Sequence, residues 1–137
     1  MFGIRHATQA DKEFWFTLDR HIKEQVFDLK IRDKQAYIIN DNDKPIGVLR
    51  YNLFWDNTPF VNLIELQKSH YGKRLGTHAM LHWEAEMQSL GYNIVMTSTQ
   101  ANEQAQHFYR KLGYKDIGCL LLNNDPAEIF FAKHLSE

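Results

Sequence analysis

Between Lys73 and Tyr114 the hydrophobic pattern changes period twice, and this run constrains the fold more than any other stretch of the chain. Leu75, Ala79, Met80, Trp83, Met87 and Leu90 recur at helical spacing across a helix expected over Lys73 to Leu90. Gly91 can end it in the left-handed conformation. Tyr92 to Ser98 then reads as a strand whose centre, Ile94-Val95-Met96, is apolar without alternation, the pattern of a strand covered on both faces inside a sheet. Ala105, Phe108, Tyr109 and Leu112 follow at i, i+3, i+4 and i+7, one apolar face of a second helix. Asn102 suits its cap, Glu103 the first turn, Arg110 and Lys111 the last turn, and Gly113 the stop.

The rest of the chain supplies more strands. Phe2 to His6 reads as a short strand, followed by Thr8 as a helix cap, Asp11 in the first turn, and Phe14, Trp15, Leu18 and Ile22 at helical spacing. A second helical piece reaches about Asp33. Ala36 to Ile39, Ile46 to Trp55 and Phe60 to Gln67 are strands, separated by the turn formers Asp41-Asn-Asp-Lys-Pro45 and Asn57-Thr-Pro59. Lys115 to Leu122 and Ala127 to Lys133 close as a hairpin around Asn123-Asn-Asp-Pro126. No repeat, linker or low-complexity segment interrupts this. The order β-α-α-β-β-β-α-β-α-β-β describes an α/β (α+β) fold. Its central sheet is mixed, mostly antiparallel, of about seven strands, flanked by helices.

One domain is expected over residues 1–137, long enough to bury a core without staples. Sixteen basic against seventeen acidic residues leave a formal charge of -1, so no basic excess points to a nucleic acid as partner. Cys119 is the sole cysteine, which excludes an intramolecular disulfide and a thiolate-rich metal site. It reads as a small buried hydrophobe. No apolar run approaches a membrane span, and Met1 to Arg5 lacks the form of a secretory signal, so a cytoplasmic protein is the expectation.

Several residues have chemical potential. His70-Tyr71-Gly72-Lys73-Arg74-Leu75-Gly76-Thr77 joins a strand to the long helix. Glycines there allow close backbone approach, and the unpaired N–H groups of the helix start form a ready anion site, to which Lys73 and Arg74 add charge. A tight connection would use the same glycines. Glu65 is a carboxylate in an otherwise apolar strand; burial would raise its pKa and make it a base, whereas a solvent-facing or salt-bridged Glu is the plainer alternative. Tyr109 is a phenol able to act as an acid, with core phenol as its plainer role. His78, His82 and Glu86 fall at i, i+4 and i+8, but they flank the apolar stripe and no Glu follows His78, so no metal is expected. Phe14-Trp15-Phe16, Phe54-Trp55 and Phe60 are mainly core, with some positions able to line an apolar pocket.

From Asn102 to Tyr114 the chain meets every position of N-x-x-A-x-x-F-Y-x-x-x-G-[FY]. This resembles the acyl-CoA-binding helix of the GNAT N-acetyltransferase superfamily, and the element order of nearly the whole chain is also the GNAT order. The resemblance implies acetyl-CoA as co-substrate and a primary amine, a small molecule, as acceptor, by direct transfer in a ternary complex. Tyr109 would be the acid and Glu65 or a water relay the base. Asn102 would contact the pantetheine arm, and the strand carrying Leu66 and Gln67 would pair with that arm as an added β-strand. Tyr71 to Thr77 would be the pyrophosphate loop, with two departures from [QR]-x-x-G-x-[GA]: Tyr71 stands at the Gln/Arg position and Arg74 at the first glycine. A silent acyl-CoA-binding module, or an acetyltransferase acting on a protein or RNA, are the alternatives. A homodimer is left open.

Overall fold

The computed structural model describes residues 1–135. Its elements are β1 (Phe2–His6), α1 (Lys12–Leu18), α2 (Glu24–Arg32), β2 (Ala36–Asp41), β3 (Lys44–Phe54), β4 (Thr58–Leu66), α3 (Leu75–Ser89), β5 (Ile94–Gln100), α4 (Ala105–Lys111), β6 (Lys115–Leu120) and β7 (Glu128–His134). The expected order holds throughout. Seven strands form one sheet in the order β1-β2-β3-β4-β5-β7-β6. It is mixed: β4 runs parallel to β5 at Phe60↔Met96 and Val61↔Thr97, while β1–β2, β2–β3, β5–β7 and β6–β7 are antiparallel.

Two compact units divide the chain. The first comprises Met1–Asn52 and Asn62–Trp83, the second Leu53–Val61 and the chain from Glu84 on. In the first, strand alternation separates two cores. Ala36, Ile38 and Val48 pack with Ala7 under Trp15 of α1 and Phe27 of α2, and Leu63 joins them. Ile39 faces the other way, onto Leu75 and Ala79 of α3, and Ile46, which the register shift at Ile39/Asn40 takes out of step with Val48, joins it there with Ile64 and Leu66. In the second unit, α4 lays Tyr109 against Phe131 of β7, and Val95, Thr97 and Phe131 are buried.

Three elements differ from the sequence reading, each for a physical reason. The first helix stops at Leu18 and does not reach Ile22. The Asp19 carboxylate, with no exposed side-chain surface, accepts from Trp15 Nε1 (3.0 Å), Arg50 Nε (2.8 Å) and the His21 N–H (3.0 Å), which fixes the chain in an extended turn. Leu90 is exposed rather than part of the α3 stripe, because the helix ends at Ser89. Cys119 is exposed, since every residue of the edge strand β6 is.

Candidate functional site

The loop before α3 has the backbone of an anion cradle. Gly72 takes φ +79°, and an added Cβ there would meet nothing within 4 Å. Arg74 takes φ +61°, the left-handed region that costs a side chain about 1–2 kcal/mol and that glycine enters freely. The position at which the resemblance calls for glycine therefore has a glycine-like backbone even though arginine fills it. The first helical hydrogen bond of α3 runs from His78 N–H to Arg74 O at 3.1 Å. The N–H groups of Leu75, Gly76 and Thr77 are left without intrahelical acceptors. Leu75 itself is buried among Ile39, Ile46 and Ala79, so it anchors the helix start and offers only its backbone. Lys73 and Arg74 are exposed at the same turn.

Preceding this loop, β4 presents a carboxylate and a backbone donor. Leu63 packs under α1 and α2 while Ile64 and Leu66 pack under α3, so alternation places Glu65 on the α1/α2 face. Glu65 is half-buried, and Tyr71 Oη donates to its Oε2 at 2.5 Å. That hydrogen bond, then burial and the Glu65 charge, push the Tyr71 phenol up to about 12. The residue at the family's Gln/Arg position thus turns back onto the proposed base. Gln67 N–H donates to Ile46 O at 2.8 Å and is occupied. Since N–H groups alternate along a strand, Leu66 N–H points away from β3 and is the available donor.

In the second unit, Tyr109 is 6% exposed. Its ring centroid lies 5.2 Å from Phe108, 5.8 Å from Tyr114 and 6.0 Å from Phe131. Its hydroxyl shares a hydrogen bond with Thr97, whose Oγ1 donates to Val61 O at 3.0 Å. Burial raises the Tyr109 pKa, the Thr97 contact opposes this, and the Glu103 charge adds to it. The group stays protonated, as an acid must before it acts, and its acidity is weaker than a free phenol's. Both readings of Tyr109, core phenol and proton donor, fit this one position.

Asn102 is not the cap of α4. The helix begins at Ala105, and Glu103 organises the turn by accepting from Gln100 N–H (3.0 Å) and Thr99 Oγ1 (3.1 Å). Asn102 is exposed and makes no side-chain hydrogen bond among the described residues, so its amide is open to a ligand. The final tyrosine of the motif is an anchor: Tyr114 Oη donates to Glu84 Oε2 (2.8 Å) and Lys133 Nζ to Glu84 Oε1 (2.7 Å). Burial, followed by the Glu84 carboxylate, drives the Tyr114 pKa far up.

Sequence reasoning missed Thr97, although a polar residue two positions after Val95 in a buried strand is a visible signal. Phe54 and Trp55 do line an apolar groove of about 500 Å³ with Met96, Cys119 and Phe130. Alternation along β5 and β7 puts that groove on the sheet face opposite Tyr109. His78 lies against Phe2 in a tilted ring contact at 5.5 Å, which gives it a structural contact.

Residues 4–114 match the model of the acetyltransferase (GNAT) family. The crystal structure of Ard1 from Thermoplasma volcanium is similar with a TM-score of 0.86 at 12% identity, over 99% of this chain and 99% of that one. The ribosomal-protein-S18-alanine N-acetyltransferase from Escherichia coli is similar with a TM-score of 0.80 at 15% identity, over 100% and 96%. A GNAT family acetyltransferase from Elizabethkingia anophelis, solved with acetyl-CoA bound, gives 0.77 at 13% identity over 98% of each chain. No curated protein matches the sequence. At these identities the structures share the fold.

Proposed function

From the premise that the chain belongs to the acetyltransferase (GNAT) family, we propose that it moves the acetyl group of acetyl-CoA to the primary amine of a small molecule by direct transfer in a ternary complex. The observation that carries this reading is the loop before α3. Left-handed backbone at Gly72 and Arg74 leads into a helix whose first N–H groups are open, which is what a diphosphate requires.

The remaining roles follow from chemistry. Tyr71 to Thr77 hold the diphosphate, and Asn102 contacts the pantetheine arm. Glu65, or a water relay, takes a proton from the acceptor ammonium, and the neutral amine attacks the thioester carbonyl. Leu66 N–H polarises that carbonyl as an oxyanion donor does. Tyr109 gives its proton to the departing thiolate, and the Thr97 contact, which favours the deprotonated phenol, steadies the phenolate left behind. Tyr71 holds one oxygen of Glu65, so its displacement by a ligand at the loop would free that oxygen as well. No helix of the described residues is long and apolar enough to cross a membrane, and action in the cytoplasm is part of this reading.

The test is release of free coenzyme A thiol from acetyl-CoA in the presence of amino acids, polyamines, aminoglycosides and peptides. Thiol release that depends on one amine class supports transfer. Binding of coenzyme A by calorimetry without release for any amine would make the protein a silent binding module.

A further inference from the structure

Strand β3 carries one charged residue in its buried stretch. Arg50 follows Ile46, Val48 and Leu49, each with no exposed surface, and its own side chain is 10% exposed. Val48 packs under α1 and α2, so alternation puts Arg50 on that same face, the face that also holds Glu65. Arg50 Nε donates to Asp19 Oδ2 at 2.8 Å. The carboxylate is already engaged by Trp15 and by the His21 N–H. Burial alone would raise the Asp19 pKa; the hydrogen bonds from Arg50 and His21, the Arg50 charge and Trp15 outweigh it and leave it low. Asp19 is thus an anion engaged on both of its oxygens. The two terminal nitrogens of Arg50 make no hydrogen bond among the described residues.

A second cation stands beside this guanidinium. Lys30 is half-buried, and burial, followed by the Arg50 charge, lowers its pKa. Its Nζ donates to two neutral acceptors, Tyr51 O at 2.6 Å and Gln35 Oε1 at 3.2 Å. Asp33, the carboxylate whose charge acts on Lys30, is itself held by Arg32 at 2.9 and 3.1 Å. Each of the two neighbouring cations therefore faces a carboxylate that is already engaged, Asp19 for Arg50 and Asp33 for Lys30. Arg20 and Lys23, exposed in the turn after Asp19, add positive charge. Buried charges are normally paired, and a guanidinium with its terminal pair of nitrogens unused matches a carboxylate bidentately.

We propose that Arg50, with Lys30, is a carboxylate-binding subsite on the acceptor face, so that the acceptor is an amine bearing a carboxylate, such as an amino acid or a short peptide. This rests on the acetyl-transfer reading for its amine and on the cation pair for its acid. A carboxylate held here leaves the amine of the same molecule to be presented to Glu65, on the same sheet face.

Matched pairs test it. Phenylalanine and glutamate are each compared with their α-amides as acceptors in the thiol-release assay. The amide's amine deprotonates more readily, so intrinsic reactivity favours the amide and any preference for the acid comes from binding. We expect the acid to win by about 10- to 100-fold in kcat/KM, mainly through KM, the range of a charge-assisted pair. Lys30→Met and Arg50→Lys should pull that ratio toward one; Arg50→Lys keeps a cation for Asp19 and so spares the fold, which a melt checks. Calorimetry with N-acetylphenylalanine and its amide, neither able to react, reads the subsite alone. Acid and amide used equally and bound equally by the wild type would overturn the proposal while acetyl transfer stands. No thiol release with any amine, but N-acetylphenylalanine bound by the wild type and lost in both variants, would leave the subsite standing and remove acetyl transfer.

Discussion

Tyr71 and Tyr109 are two phenols raised above their ordinary pKa by opposite kinds of surroundings. Tyr71 is 53% exposed on an irregular loop, and one partner, the Glu65 carboxylate, leads its shift. Tyr109 is 6% exposed on a helix, and burial leads, with Thr97 opposing. The first environment can be dismantled by moving one side chain. The second is held by Phe108, Tyr114 and Phe131 together. A proton donor that must act at a fixed point belongs in the second; a group that must give way to an incoming cofactor belongs in the first.

The largest expected effect tests the buried member. Tyr109→Phe keeps the ring and its packing and removes the hydroxyl. General acids contribute about 10²–10⁴-fold, or 3–5 kcal/mol of barrier, so kcat should fall by at least the lower figure. Coenzyme A affinity should move by less than about 1 kcal/mol. Turnover near wild type on a protein with an unchanged melt would make Tyr109 a core phenol alone and erase the contrast with Tyr71.

Next comes the loop. Gly76→Asp places a carboxylate at the second residue of α3, where the helix dipole favours it and the diphosphate would be repelled. Calorimetry should show coenzyme A affinity down by about 1–3 kcal/mol, the cost of an unmatched charged contact, with the melting temperature held or raised. Unchanged affinity would put the anion site elsewhere.

A smaller effect separates the two phenols directly. In Glu65→Gln the leading cause of the Tyr71 shift is gone, so its titration, followed by phenolate absorbance, should move from about 12 toward the ordinary value. Tyr109 should not follow, being governed by burial. The sign for stability is that of a raised group: the Tyr71–Glu65 contact contributes fully below about pH 10 and is lost as pH climbs toward 12. Denaturant midpoints across that window should fall more steeply in wild type than in Glu65→Gln. Parallel curves would mean the contact is open in solution.

The contrast also explains what could be read from the chain. The helix–strand–helix run was legible because burial imposes period: Val95 and Met96 in the sheet, Met80 and Trp83 on α3, Tyr109 on α4 are placed by apolar spacing alone. Termini were less legible. Asn102 looks like a cap, but Glu103 takes the turn's donors, a contest between two side chains that sequence does not decide. The end of α1 was hidden for a related reason, since Asp19 is fixed by Arg50, 31 residues away. Cys119 misled because edge strands look like core strands when neighbours are unknown. Tyr71 on Glu65 was illegible, as a loop side chain has no period to betray its direction. Arg50, a charge inside an apolar strand, was visible and carried meaning only once its partners were known.

The smallest effect concerns the backbone beneath Tyr71. Arg74 at φ +61° carries a strain of about 1–2 kcal/mol that glycine would relieve. Glycine also widens the unfolded ensemble, at a cost of about 0.5–1 kcal/mol, so most of the gain cancels. Arg74→Gly should therefore raise the melting temperature by only a few degrees. The same change deletes a cation next to the diphosphate site while leaving the N–H groups in place. Coenzyme A affinity should then fall slightly at low salt and converge with wild type at high salt, since the lost contribution is screened and the backbone contribution is not. A lower melting temperature would show that Arg74 is held by contacts outweighing its strain, making the loop as over-determined as the pocket of Tyr109. An affinity loss that persists at high salt would give the Arg74 side chain a direct part in holding the phosphate, a role the backbone alone is otherwise sufficient to fill.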